Sequence, residues 1–315
     1  MKDSDEFSIL KKVFKNLGNQ YFDSSNLLIG PGDDAGLFKT KKELIFSTDT
    51  SVANVHFPKD LEPKLVAFRA CAVAASDIAA CGGKLKWLSI ALTANSKKKK
   101  WIEEFSKGIK EFSDNYKVPI IGGDLTLGKE ISVSIGACGE IDKKYFMRRN
   151  GGKEKDLIFV TGNLGEASIG LNLLKQKKQN LKSAEKICLK RFLKPEINFL
   201  FSQDLSRIAN SCIDISDGLM ADLNHICEQS NLKAEINLDN MPLIGNAIKA
   251  ITWGDDYQLC FTISSSKIKK LTEISKKHNV KITNIGKLTK GKGISVLSKG
   301  KKINIKKAGY NHFNG

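Results

Sequence analysis

Six segments of the chain set aspartate directly after a glycine, a serine or the end of an apolar run: Asp33-Asp34, Asp49, Asp77, Asp124, Asp214 with Asp217, and Asp255-Asp256. A single Gly-Asp or Asp-Gly step is ordinary turn chemistry. Six of them in one chain suggest convergence, and convergence has an electrostatic consequence. Carboxylates are costly to bury and repel one another, so several sharing a pocket require multivalent cations. Oxygen-only ligands select a hard ion, Mg²⁺ or Ca²⁺. Magnesium in particular is held by one or two carboxylates together with water and phosphate oxygens. Glycines beside the acids let backbone approach a phosphate closely.

Other chemistries find less support. No histidine or cysteine accompanies these aspartates, and no Gly-x-Ser-x-Gly turn occurs; zinc hydrolysis and a cysteine or serine nucleophile have no donors to work with. Gly123-Asp124-Leu125-Thr126-Leu127-Gly128-Lys129 fits seven positions of a P-loop. Glu130 stands where the metal-binding hydroxyl belongs, and a strand pattern follows where a helix is required. Gly162-Asn163-Leu164-Gly165, between a strand and a helix pattern, reads either as an anion cradle or as a tight turn.

The elements that must position these acids alternate between helix and strand periods. Phe7, Leu10, Val13, Phe14 and Leu17 predict a helix over 6–17, and Leu44–Thr50 predicts a strand. Residues 63–81 are small or apolar almost all round, the mark of a buried helix closed by Gly82-Gly83. That puts Asp77 near the negative end of a buried helix, where a carboxylate is disfavoured unless a cation compensates. A strand over 87–92, a helix over 101–116 and an alternating strand over 131–135 follow. The second half predicts strands at 157–160, 234–238, 258–263, 281–288 and 294–297, with helices at 166–174, within 181–209 and at 219–229, the last capped by Ser216 or Asp217. The fold class expected is mixed α/β or α+β. With 315 residues, two domains are expected, 1–145 and 146–315, with the polar stretch 143–156 as the link.

Apolar residues make up 41% and charged ones 27% of the chain, values that exclude wholesale disorder and a polytopic membrane protein. Acidic residues near the start and the lack of an apolar leader run predict a cytoplasmic protein. The seven cysteines, widely spaced and without a Cys-x-x-Cys pair, read as reduced core thiols. A net charge of +17 raises the alternative of a nucleic-acid or anionic-surface binder. The lysines come in runs such as 97–100, without interleaved aromatics, so the reading preferred is a solvated face with no specific nucleic-acid partner and no membrane.

Taken in order, these motifs resemble the thiamine-monophosphate kinase family, of the superfamily that includes aminoimidazole-ribotide synthetase and selenophosphate synthetase. The resemblance runs through Gly32-Asp33-Asp34, Ser47-Thr48-Asp49-Thr50, Val55-His56-Phe57, Ser76-Asp77-Ile78, Gly122-Gly123-Asp124, Val160-Thr161-Gly162, Ile213-Asp214-Ile215-Ser216-Asp217-Gly218 and Asp256-Tyr257. It implies phosphoryl transfer from ATP, with several Mg²⁺ ions, to the phosphate of thiamine monophosphate, without an acid or base residue on the protein. It implies metal ligation by Asp34, Ser47, Thr48, Asp49, Asp77, Asp124, Asp214 and Asp217. ATP contacts fall on Gly123, Asp124, Arg149 and Ser216, and acceptor contacts on His56 and Asp255. It implies a homodimer whose N-terminal mixed sheets, flanked by helices, join into a barrel, with a C-terminal α/β domain completing the active site. Three positions depart from the family pattern. Gly-Gly-Glu-Asp-Tyr is here Trp253-Gly254-Asp255-Asp256-Tyr257, Leu125 replaces a usual threonine, and Lys307 stands where an aromatic often precedes Gly-Tyr. These keep open an ATP-dependent enzyme of the same superfamily with a different substrate.

Overall fold

The structure of the chain, a computed structural model, describes residues 13–14, 16–30, 35–94, 99–305 and Gly309. The predicted helix over 6–17, the Gly32-Asp33-Asp34 turn, the lysines at 97 and 98, and Lys306, Lys307 and Tyr310 lie outside the described residues in whole or in large part. The chain divides into two compact units, Met1–Ile78 with Lys84–Lys143, and Ala79–Gly83 with Lys144–Gly315.

The first unit is built on a four-stranded mixed sheet. Its strands are β3 (Glu43–Val52), β4 (Lys84–Ala94), β5 (Ile120–Leu127) and β6 (Ser132–Ile141), in the order β3-β6-β4-β5. Only the β4–β5 pair is parallel. A two-stranded ribbon of β1 (Leu27–Ile29) and β2 (Leu37–Phe38) sits against the sheet through Phe38, which stacks on the buried Trp87 at 4.3 Å. Two long helices, α1 (Pro63–Ala80) and α2 (Lys99–Tyr116), supply most of the remaining core. They cross closely because Gly108 has no side chain: a Cβ there would lie 2.0 Å from the Lys64 carbonyl oxygen. Residues 123–129 run along β5 into the turn before β6, so the P-loop-like string has no helix behind it.

The second unit holds a seven-stranded sheet. Its strands are β7 (Leu157–Thr161), β8 (Ser211–Asp214), β9 (Lys233–Asn237), β10 (Leu259–Ile263), β11 (Ile282–Thr289), β12 (Gly293–Ser298) and β13 (Lys301–Ile303). They lie in the order β13-β12-β9-β11-β7-β10-β8, and only β12–β9 is parallel. Strands β8 and β10 are buried along their whole length, and they keep polar residues inside, Ser211 and Asp214 on β8 and Thr262 on β10; the Ser211 and Thr262 hydroxyls pair at 2.7 Å. Around the sheet lie α3 (Glu166–Lys175), α4 (Ser183–Leu193), α5 (Phe199–Leu205), α6 (Leu219–Ser230), α7 (Ala247–Thr252) and α8 (Ile268–His278). Apolar side chains of α6 pack with those of β7, β8, β9 and β11 in one core cluster. The predicted link 143–156 holds two short 3-10 turns, Lys143–Tyr145 and Arg149–Gly151. All seven cysteines are free thiols. No described helix is long and apolar enough to cross a membrane.

Candidate active site

In the first unit, strand alternation decides which acids meet. Along β3 the residues at 45, 47, 49 and 51 are the more buried set, and those at 44, 46, 48 and 50 the exposed one. Ser47 and Asp49 therefore share a face, and it is the face that meets the end of α1: the Ser47 hydroxyl donates to Asp77 Oδ2. Burial pushes the Asp49 carboxyl up to about 6, and the neighbouring Asp77 carboxylate pushes in the same direction. Asp77 is carried in the last turn of α1, three residues before its C-terminal end, where the helix dipole opposes negative charge. Ser47, Asp49 and Asp77 thus form a cluster of one hydroxyl and two carboxyls.

Thr48 is not part of it, because the two-residue period of the strand sends its side chain to the other face with Phe46 and Thr50. Asp124 is not part of it either. The sequence reading puts Gly122-Gly123-Asp124 in a turn, whereas the structure places all three inside β5. The register sets Asp124 in the cross-strand row Thr50–Ser134–Ala91–Asp124, one row from Asp49 and so on the opposite face, with its Oδ2 accepting from Thr126 Oγ1 at 2.8 Å. Gly123 is glycine because its backbone presses on β4: a Cβ would lie 1.9 Å from the Ile90 carbonyl oxygen. His56 sits in the tight turn after β3, and its Nδ1 accepts from the Val52 N–H at 3.0 Å. That contact puts the proton of the neutral ring on Nε2.

In the second unit the acids gather where β8 hands over to α6. Asp214 is the buried last residue of β8, and Ser216, Asp217 and Gly218 make the turn into the helix. Neither Ser216 nor Asp217 caps α6. The N-cap is Gly218, at φ 115, and the capping oxygen comes from inside the first helical turn. Asp222 Oδ2 accepts from the backbone N–H of Ser216, Asp217 and Gly218 at 3.0, 3.1 and 3.1 Å. Burial, then the charges of Asp214 and Asp217, push the Asp222 carboxyl up to about 8 against those hydrogen bonds. Asp222 is the residue sequence reasoning missed. An acid four positions into a helix that opens on glycine is the available signal.

The segment after α7 locks onto this turn. Gly254 packs so tightly that a Cβ would lie 1.8 Å from the Ser216 carbonyl oxygen, and the Asp255 N–H donates to that oxygen at 2.8 Å. Asp255 and Tyr257 both adopt left-handed backbone, φ 73 and 47, and the Tyr257 hydroxyl donates to Asp255 Oδ1 at 3.2 Å. Between them the buried Asp256 accepts from the N–H groups of Gly165 and Ala167 at 2.8 and 3.3 Å, so the N-terminus of α3 already has a carboxyl acceptor from the protein. The anion cradle considered for Gly162–Gly165 is thereby filled. Burial pushes Asp256 up to about 7, opposed by those two hydrogen bonds.

Arg149 lies elsewhere. Its carbonyl accepts from Ser230 Oγ at the far end of α6, a helix of 12 residues or about 18 Å from Ser216. Its side chain is exposed. Among the described residues no three His, Cys, Asp or Glu side chains stand together as a ready metal cage. The donor sets instead suit an ion that brings its own oxygens: hydroxyl and carboxylate only, with carboxyls held next to like charges.

Two adjoining domains of one superfamily account for this architecture. The model for "AIR synthase related protein, N-terminal domain" matches residues 32–141, and that for the C-terminal domain of the same name matches residues 153–299. A thiamine-monophosphate kinase of Buchnera aphidicola subsp. Schizaphis graminum is 42% identical, over 98% of both chains. The crystal structure of a thiamine-monophosphate kinase from Stenotrophomonas maltophilia superposes with a TM-score of 0.82 at 30% identity, over 91% of this chain and 96% of that one. A structure described as AaThiL complexed with AMPPCP and TMP superposes with a TM-score of 0.76 at 29% identity, over 99% and 98%. The chain belongs to the thiamine-monophosphate kinase family.

Proposed function

We propose that the chain transfers the γ-phosphoryl group of ATP to thiamine monophosphate. A phosphate oxygen of the acceptor forms the new P–O bond, the bond between the β-oxygen and γ-phosphorus breaks, and ADP and thiamine diphosphate leave. The acceptor oxygen is already anionic at neutral pH, so the protein needs no strong base; positioning and charge neutralisation carry the catalysis. The observation that supports this most directly is the like-charge crowding of Asp49 against Asp77 and of Asp222 against Asp214 and Asp217, an arrangement that a divalent cation relieves.

Magnesium, when bound, neutralises phosphate charge as it develops. Ser47, Asp49 and Asp77 supply its ligands in the first unit, and Asp214 and Asp217 in the second. Asp34 and Asp124 are assigned to the metal as well, Gly123 and Ser216 to ATP, and His56 and Asp255 to the acceptor, on the family resemblance. Asp222 holds the Ser216–Gly218 turn and leaves Asp217 to ligate. The assignments of Thr48 and Arg149 rest on the resemblance alone.

The working form is proposed to be a cytoplasmic homodimer. Its support is the open face of the first unit's sheet, where Phe46 is 68% and Leu44 40% exposed on edge strand β3. A second copy of this sheet is the occupant that would cover them. Reduced thiols throughout fit the cytoplasm.

The test incubates the pure protein with ATP, Mg²⁺ and thiamine monophosphate and separates the products by chromatography. Thiamine diphosphate and ADP in equal amounts are expected. ADP formed only with another acceptor would reassign the substrate, and no ADP with any acceptor would overturn the kinase reading.

A further inference from the structure

Thiamine monophosphate has two ends of opposite charge. The phosphate is anionic, and the thiazolium ring, a two-carbon linker away, carries a fixed positive charge. The carboxylate clusters with their metal account for the phosphate end. The other end needs a surface that attracts a flat cation, and the face of an indole ring is the strongest such surface among side chains.

The chain has three tryptophans, and they differ sharply in what they can reach. Trp87 is fully buried under Phe38, and Trp101 stacks on Phe105 at 5.2 Å within α2. Trp253 is 39% exposed. Its ring already attracts a cation, with the exposed Lys249 ammonium 5.0 Å from the ring centroid. A lone exposed tryptophan is unremarkable on a protein surface; the position of this one is not. Trp253 ends α7, its N–H bonded to the Lys249 carbonyl, and leads directly into Gly254 and Asp255, which clamp the Ser216 carbonyl. A Cβ on Gly218 would lie 3.2 Å from the Trp253 carbonyl carbon. Trp253 is thereby fixed by its backbone to the turn that bears Asp217 and to the residue before Asp255. The one exposed indole of the described chain therefore borders the acid cluster of the second unit.

We infer that Trp253 is the acceptor-binding surface for the cationic heterocycle: the thiazolium stacks on the indole face in place of the Lys249 ammonium. The inference rests on the kinase reading above. It makes Trp253 a specificity residue for acceptors that pair a phosphate with a flat cation. An acceptor phosphate without such a ring gains nothing from the contact.

Trp253→Ala and Trp253→Phe, each checked by circular dichroism, are assayed for the KM of both substrates. Trp253→Ala is expected to raise the KM for thiamine monophosphate roughly three- to thirtyfold, with the KM for ATP unchanged and Trp253→Phe recovering part of the loss. A KM for thiamine monophosphate within twofold of wild type in Trp253→Ala, or an equal rise for ATP, overturns the inference. Titration with thiamine monophosphate in the absence of ATP reads binding without turnover: indole fluorescence of the wild type should be quenched, and that of Trp253→Phe should not. If the wild type makes no thiamine diphosphate, the kinase reading fails while this titration still decides on Trp253. Quenching that persists in Trp253→Phe counts against it in either case.

Discussion

The two acid clusters solve the same electrostatic problem in opposite ways. Asp214, Asp217 and Asp222 lie within nine residues of one another, at the start of α6, where the helix dipole and three backbone N–H groups favour negative charge. Ser47, Asp49 and Asp77 come from a strand and a helix 28 residues apart or more, and Asp77 sits at the wrong end of its helix. The first arrangement is stable as a backbone turn before any ligand arrives. The second has a single hydroxyl to share among carboxylates, so its stability should depend on the cation.

The largest effect that tests this contrast is on turnover. Asp49→Asn or Asp77→Asn should cut thiamine diphosphate formation by about two orders of magnitude or more, with the fold intact. Near-normal rates would remove the strand–helix cluster from the chemistry. Stability should then separate the clusters. Asp222→Ala leaves three backbone N–H groups, one buried and two part-buried, without that acceptor and should cost about 2–4 kcal/mol in urea unfolding. Asp77→Ala, measured without Mg²⁺, should cost less than 1 kcal/mol or stabilise, because it removes a repulsion felt by Asp49. The reverse order of these two would break the comparison. Mg²⁺ should raise the melting temperature of the wild type by a few degrees through mass action, and by less in Asp77→Asn.

The smallest expected effect concerns Asp256, which anchors the same region through the start of α3. Its carboxyl is raised to about 7 in the folded protein against about 4 unfolded. The folded state therefore holds a proton that the unfolded state releases, and the stability due to this group is lost as pH rises from 4 through 7. Asp256→Asn should flatten the fall in stability over that window, measured by urea midpoints at several pH values. An unchanged slope would mean that the Gly165 and Ala167 N–H groups keep Asp256 ionised.

Much of this was legible in advance where periodicity is strong. The buried helix over 63–81 is α1, one residue shorter. The long helix at 101–116 is α2, extended by its lysines at the N-terminus. Each of the five second-half strands that were predicted lies within a residue or two of its expected place. Most pieces passed over are short: β1, β2 and β13 have two or three residues, β8 four and α7 six, too few for either period to repeat. The eleven-residue α8 was passed over as well, its apolar positions Ile268, Leu271 and Ile274 set among lysines. Turn chemistry misled at Gly122-Gly123-Asp124. Paired glycines usually mark a turn, but here Gly123 serves the close approach of β5 to β4.

For the site, residue types and their order along the chain were enough to point to nucleotide-directed chemistry and to propose aspartates with hard-oxygen ligation for it. Those properties belong to side chains one at a time, and a carboxylate is a hard anion wherever it stands. Which acids meet was decided only by tertiary structure. A strand's two-residue period admits Ser47 and Asp49 to the face against α1 and turns Thr48 away; sheet register sends Asp124 to the opposite face; a helix's length separates Arg149 from Ser216. Asp222 and Trp253 gain their importance from what lies against them, three backbone N–H groups in one case and a clamped acidic turn in the other. Proximity between residues distant in sequence is the property that no local pattern records.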